Sequence, residues 1–571
     1  MDAGIVSLGE APYNIKSTLT LMKKISTLIL LLAVGFVSVQ AQRYLLPTFS
    51  SVDVTANVVY ATNITVVTGT PAPQNLTMDV YTPSGDTETS RPVVVYFPTG
   101  SFLPQYFNGQ VTGGKQDSTV VEICTRLAKL GYVAIAATYR AGWNPTALGP
   151  TGQNIRTGTL LNATYRGIQD ARTCYRFLRK SVAEDGNPFG IDPDKIVAWG
   201  QGTGGYISLG SAYLDRFEEV SSLDKFINTE TLLPYVDTSL MGDVYGLETR
   251  PLCLSNTPGY SSDIQLAVNM GGALGDISWI EGDAATNNEP PTVGYHMVND
   301  PFAPFADGPV IVPTTGDFVV NVSGSRTAVG AANALGVNDP LNTINASLLA
   351  KGDGLTQLMT AFKPVVLPTP PFQPVGITLG TDNLYPLRPT GVSQYESGPW
   401  EWWDYNKLCL VIAGINSQLG TNLNCDVIHN TSLITNPNMS ATKARAYIDT
   451  IMAFYIPRGC AVLELTECCD ALAAMGIDCG IVGDASDVIS AESVGLSVSP
   501  NPVESYFIVQ SAAEYPMQDV ELYDLSGRLL QTLHGINSNK QVFERKNLSA
   551  GMYIVKVRFN DRIAAQKIIF R

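Results

Sequence analysis

The stretch "WGQGTGGYISL" (199–209) has the glycine spacing of a nucleophile elbow, but it lacks the serine. In such a turn a G-x-S-x-G pattern leads a strand into a helix, and the central residue holds its hydroxyl at the tip. Read without a gap, Gly200 and Gly204 occupy the two small positions, Gly205 follows, and the tip is Gly202. Glycine adopts positive φ at little cost, whereas a serine there is strained by about 1–3 kcal/mol. The replacement keeps the turn and removes the atom that would attack an acyl carbon. Losing the serine of a serine protease costs on the order of 10⁶ in kcat, leaving roughly 10³–10⁴ from the rest of the site. Thr203 is the adjacent hydroxyl. A register shifted onto it puts Gln201 where a small residue is needed, and its ordinary role is first-turn capping.

Other chemistry-bearing residues are few. There are three histidines: His296, His429 and His534. Nine cysteines include the cluster Cys460, Cys468, Cys469 and Cys479, whose spacing does not match paired C-x-x-C zinc knuckles. One or two local disulfides are expected there, with the pairing open, and the odd count leaves at least one free thiol. "GPWEWWDYN" (398–406) carries Trp400, Trp402 and Trp403. Tryptophans in a lid suit stacking on an apolar or sugar ligand, and the plainer expectation is that they plug the lid onto the core. Asp276, Asp283, Asp353 and Asp404 have no calcium-loop spacing, so no metal or cofactor is expected.

The surrounding elements alternate between strand and helix. "RPVVVYF" (91–97), "YVAIAATYR" (132–140) and "KIVAWG" (195–200) are continuous apolar runs, the mark of strands buried on both faces. "VVEICTRLAKLG" (120–131) and "ATYRGIQDARTCYRFLRKSVAEDG" (163–186) have helical spacing between them. This order predicts a mostly parallel sheet with helices on both faces, an α/β fold. Residues 301–440 lose the pattern and are expected to form an irregular lid or insertion; "SATKARAYIDTIMAFYIPRG" (440–459) reads as the last helix of the domain. From Leu496 onward, short strands separated by turns predict a small C-terminal β-sandwich.

The chain has 571 residues, too many for one core. Its net charge of -15 argues against a nucleic-acid partner, which would need clustered Lys and Arg. Met22-Lys23-Lys24 followed by "ISTLILLLAVGFVSVQA" is the pattern of an export signal. Residues 1–21 then read as an upstream extension, 22–41 as the signal peptide, 42–480 as the large domain, 481–495 as a linker and 496–571 as the sandwich. No transmembrane segment is expected in the mature form.

Residues 496–571 resemble the C-terminal sorting domain of cargo for the type IX secretion system of Bacteroidetes. The matching stretches are "SPNP" (499–502), "VELYDLSGRLL" (520–530), "LSAGMYIVKV" (548–557) and "QKIIFR" (566–571). The resemblance implies the type IX machinery as partner, with release or surface attachment after translocation.

The large domain resembles the α/β-hydrolase fold of the carboxylesterase and lipase group. The resemblance rests on "LTMDVYTPSGD" (76–86), "PVVVYFPTGSF" (92–102), "GYVAIAATYRAGW" (131–143), "GIDPDKIVAWGQGTGG" (190–205) and "GYHMVNDPFAPFADG" (294–308). It implies that Gly202 stands at the nucleophile position and that Asp300 is the acid, just past a buried strand. His429 is left as the base, because the family order is nucleophile, acid, histidine. His296 then reads as a structural histidine. The oxyanion loop becomes Pro98-Thr99-Gly100-Ser101, with backbone donors from Thr99, Gly100 and Thr203. Only Gly100 remains of the family's glycine-rich loop, and Pro98 has no N–H to give. These residues imply an exported hydrolase-fold protein with a degenerate site that binds a ligand without cleaving it. The alternatives are a working carboxylester hydrolase using Thr203, His429 and Asp300, and a structural or adhesion protein.

Overall fold

The structure is a computed structural model. It describes residues 43–282, 289–312, 315–350, 383–387, 396–480, 491–524, 529–546, 548–559 and 563–571. The upstream extension, the signal peptide and residues 481–490 of the linker lie outside the described residues, as does part of the 301–440 region. The chain divides into two compact units, 1–480 and 481–571.

The first unit is built on an eight-stranded sheet. In chain order its early strands are β1 (Val52–Thr65), β2 (Ala72–Pro83), β3 (Arg91–Phe97), β4 (Val133–Ala137) and β5 (Ile191–Gln201). β6 (Leu266–Met270), β7 (Ala273–Leu274), β8 (Thr292–Met297), β9 (Asp307–Ile311), β10 (Phe318–Gly324) and β11 (Leu384–Leu387) follow. The main sheet runs β1-β2-β4-β3-β5-β6-β8-β11. β1, β2 and β4 pair antiparallel, and every pair from β4 to β11 is parallel. This is the α/β-hydrolase arrangement that the resemblance implies. Every residue of β3, β4, β6 and β8 is buried, which explains the unbroken apolar runs in the sequence.

Helices cover the sheet. α1 (Ser118–Leu130) ends on Gly131, whose φ of 111° supplies the left-handed cap. α2 (Gly152–Ala183) is longer than its apolar pattern suggests because it buries arginines as well. Arg172 and Arg176 donate to backbone carbonyls of Val244, Leu214 and Tyr245, so their charge does not disrupt the packing. α3 (Thr203–Tyr213) leaves the end of β5 directly.

The region expected to be irregular contains regular structure. β7, β10 and β9 form a small antiparallel sheet, and α4 (Ser325–Ala334) and α5 (Asn342–Ala350) follow it. Small Ala, Gly and Asn side chains let these helices pack closely but blur the apolar periodicity that a sequence reading depends on. Beyond them lie α6 (Tyr405–Leu419), α7 (Cys425–Thr435), α8 (Ala441–Val462) and α9 (Thr466–Ala474). α9 continues the domain past the helix expected to be its last. Disulfide Cys460–Cys468 ties α8 to α9, Cys469–Cys479 ties α9 to the segment that follows it, and Cys409–Cys425 joins α6 to α7. Cys124, Cys174 and Cys253 remain free and buried.

The second unit is a sandwich with its own core. One sheet holds β12 (Ser497–Ser499), β13 (Tyr506–Gln510) and β16 (Lys540–Glu544). The other holds β14 (Asp519–Asp524), β15 (Leu529–Leu533), β17 (Gly551–Arg558) and β18 (Ile563–Phe570). Phe507 stacks on Phe543 at 5.2 Å and meets Phe570, and Val555 and Val557 are fully buried beside them.

Candidate active site

The elbow geometry is kept in full. β5 runs into Gly202, whose φ of 54° and ψ of -116° turn the chain abruptly into α3. The Gly202 amide donates to the Met270 carbonyl at 2.9 Å, and the Gly202 carbonyl accepts from Gly205 at 2.8 Å. A Cβ on Gly200 would overlap the Gly204 carbonyl, and one on Gly204 would overlap the Phe97 carbonyl. The turn passes only because both positions are glycine.

At the tip itself the space is taken. A Cβ built on Gly202 lands 2.9 Å from Thr99 Cβ and closer still to Thr99 Oγ1. Thr99, from the loop after β3, therefore projects its hydroxyl into the volume that a nucleophile's side chain would fill. Gly100 continues that loop with φ 142°, and Ser101 and Phe102 are also left-handed, at 56° and 49°. The amides of Gly100 and Thr203 have no hydrogen-bond partner among the described residues. Thr99, Gly100, Ser101 and Thr203 line one cleft with Gly202. Two unpaired backbone donors facing a cleft can hold a carbonyl or carboxylate oxygen.

Thr203 lines the cleft and is engaged by a neighbouring phenol. Its hydroxyl lies 2.8 Å from the Tyr139 hydroxyl, which also donates to the Pro98 carbonyl at 2.7 Å. Burial raises the Tyr139 phenol above its ordinary value, so it is no base at neutral pH.

Asp300 lies past β8 and lines the cleft. Its Oδ1 accepts from the amides of Phe302 at 2.7 Å and Ala303 at 3.3 Å. Burial still pushes its carboxyl up to about 7. His296 lies behind it, fully buried, with Nε2 3.8 Å from Asp300 Oδ2. His296 Nδ1 meets Ser325 Oγ at 2.6 Å, and its Nε2 donates to the Ala303 carbonyl at 3.1 Å. Burial pushes the imidazole down to about 4, so it stays neutral and structural.

His429 does not line the cleft that holds Gly202 and Asp300. It sits on α7, where Nδ1 accepts the Trp403 indole N–H at 3.0 Å and Tyr405 packs on the ring. The expected triad is therefore not assembled around this cleft. The tryptophan run divides as well. Trp400 is 2% exposed and lines the cleft. Trp402 instead lies under Arg445 at 5.2 Å, and Trp403 packs into the small core around Leu408 and Ile412.

Two polar residues to which the sequence gives no site role, Gln201 and Glu401, line the cleft as well. Gln201 precedes the tip; its Oε1 accepts from Tyr96 at 2.6 Å and its Nε2 donates to Glu401 Oε1 at 2.7 Å. Burial, with Asp117 and then Asp300 nearby, pushes the Glu401 carboxyl up to about 8. A carboxylate set between Trp400 and Trp402 was the available signal, since an acid inside an aromatic run is one removed from water. The cleft encloses about 920 Å³, its open mouth included. Behind Leu160 and Tyr206, which line both spaces, lies an apolar chamber of about 530 Å³ by the same measure.

Comparison with known proteins places the second unit. Residues 497–571 match the secretion system C-terminal sorting domain. The chain thus ends in a type IX sorting domain, which implies secretion or a place at the cell surface. No helix among the described residues is long and apolar enough to cross a membrane. No curated protein matches the chain significantly. Two similar solved structures are of Thermogutta terrifontis esterase 2, one phosphorylated by paraoxon and one with propionate bound. They are 20% and 19% identical, and each match covers 45% of this chain and 74% or 75% of that one. The TM-score is 0.25 for both, too low to bear on activity.

Proposed function

We propose that this is an exported, surface-directed protein whose hydrolase-fold cleft binds a small ligand and does not cleave it. The observation that carries this reading is the occupied tip. Gly202 has no side chain to attack with, and Thr99 fills the place where one would go. The amides of Gly100 and Thr203 remain as oxygen-binding donors, while Trp400 and the chamber behind Tyr206 offer apolar contact. A working hydrolase would need Thr203, Asp300 and His429 together. Thr203 is instead engaged by Tyr139, and His429 by Trp403.

The test is chemical. Incubated with a fluorophosphonate or a short p-nitrophenyl ester, the purified protein is expected to show no covalent adduct by intact mass and no burst of product. An adduct mapped to Thr203 or Thr99 would restore the enzyme reading and overturn this one.

A further inference from the structure

Among its described lining residues, the cleft beside the elbow has two carboxyls and no basic side chain. Asp300 and Glu401 both line it, and none of its described lining residues is Lys, Arg or His. The Asp300 side chain is only 3% exposed. Its Oδ1 is satisfied by two backbone amides, but Oδ2 has no hydrogen-bond partner among the described residues. His296 cannot serve, because its Nε2 is committed to the Ala303 carbonyl. Glu401 receives the Gln201 amide, a neutral donor. The basic residues carried by nearby elements are already paired: Lys443 with Glu396 at 2.6 Å, Arg445 with Glu122, and Lys115 with Asp79.

Desolvated carboxyls are costly to ionise unless a cation meets them. Among the described residues none meets these two carboxyls, and a bound cation would. An aromatic surface is set beside the unpaired oxygen. A Cβ built on Gly271 would lie 3.6 Å from the Trp400 ring and 3.7 Å from Asp300 Oδ2, so the ring edge and the oxygen converge on one spot. Tyr206 lines the same cleft and opens onto the apolar chamber. Two carboxyls in a cleft with apolar walls suit an organic cation, whose charge meets the oxygens while its body meets the rings. A metal ion would want more ligands, and no group of three or more His, Cys, Asp or Glu among the described residues is placed to hold one.

We propose that the cleft takes an organic ammonium ion, its charge held by the Asp300 and Glu401 carboxylates and its apolar part lying beside Trp400. This rests on the reading of the cleft as a binding site and names the charge of what binds. The apolar body of the ligand extends toward Tyr206, and an acceptor oxygen on it meets the amides of Gly100 and Thr203.

The experiment is calorimetric titration of the full-length protein with three probes of similar size: benzylammonium, benzyl alcohol and benzoate. The cation is expected to bind at least about tenfold more tightly than the other two. Glu401→Gln and Asp300→Asn are each expected to weaken it by about tenfold, with melting temperature checked to confirm folding. Because the three-probe series needs no variant, a misfolded mutant leaves the comparison intact. The proposal is overturned if benzoate or benzyl alcohol binds as tightly as the cation, if the cation does not bind, or if both folded carboxamide variants bind it unchanged. Its failure is separable from that of the binding-only reading. Covalent labelling by fluorophosphonate defeats that reading while leaving the charge preference measurable, whereas a missing preference with no labelling defeats only this proposal.

Discussion

At the residue scale, Gly202 and Thr99 form a pair. A serine at 202 must accept the strained conformation of the tip and also press against Thr99. Gly202→Ser alone is therefore expected to lower stability by about 1–3 kcal/mol and to restore no ester hydrolysis. Adding Thr99→Ala should recover part of that loss, giving a non-zero coupling in a double-mutant cycle measured by denaturant unfolding. Additive losses would mean that Thr99 moves aside freely. Glu401 gives a second residue-level expectation. Its carboxyl is raised to about 8 in the folded protein from 4.5, so its contribution to stability is complete below the unfolded value and is lost as pH rises through the folded one. Glu401→Gln removes that loss. Relative to the parent, the variant should gain about 1–3 kcal/mol between about pH 5 and about pH 9. Thermal melts across that range check the sign, and a constant difference would place the carboxyl in water. The elbow glycines could be read from the sequence because close backbone approach leaves one residue type possible. Thr99's intrusion could not, since it depends on two loops 103 positions apart in the chain meeting at one point.

At the element scale, the parallel sheet was legible because strands buried on both faces need unbroken apolar runs, as β3 and β4 show. The helices after Asp300 were not. α4 packs through Ala328, Val329 and Ala332, small groups that carry little periodic signal, and α7 buries only Ile428 and Ser432. The same thin packing explains the third disulfide. α6 and α7 share a small core of Val111, Leu408, Ile412 and Ile428, so Cys409–Cys425 has more to do there than a bridge in the main core would. Replacing both cysteines by serine should destabilise this hairpin by about 2–3 kcal/mol, from the chain entropy freed by opening a 16-residue separation. Amide exchange is the measure. Protection should fall in α6 and α7 while β3, β4 and β6 keep theirs, and uniform loosening would show the bridge supporting the whole unit. His429 travels with α7, which is why its place after Asp300 in the sequence does not bring it to the cleft.

At the scale of the whole molecule, each unit has its own buried core. The first packs around Val93, Val95, Phe97 and Ile135; the second packs around Phe507, Phe543, Val555 and Phe570. Each cluster draws its residues from one of the two compact units, which is the basis for expecting each unit to fold by itself. A chain ending at Gly480 should therefore keep its fold, with the far-UV spectrum and melting temperature of the first unit's transition in the full-length protein. Export should behave in the opposite way. The sorting signal lies within 497–571, so the shortened chain should be made and stay on the inner side of the outer membrane. The tail fused behind an unrelated export-competent reporter should send that reporter to the surface or the medium. Fractionation followed by immunoblotting reads both arms. If the shortened chain still reaches the surface, addressing information lies in the hydrolase-like unit and the separation of labour between the units is wrong. If it fails to fold, the two cores are not independent, and exchange protection in Phe507 and Val555 should then depend on the first unit being present.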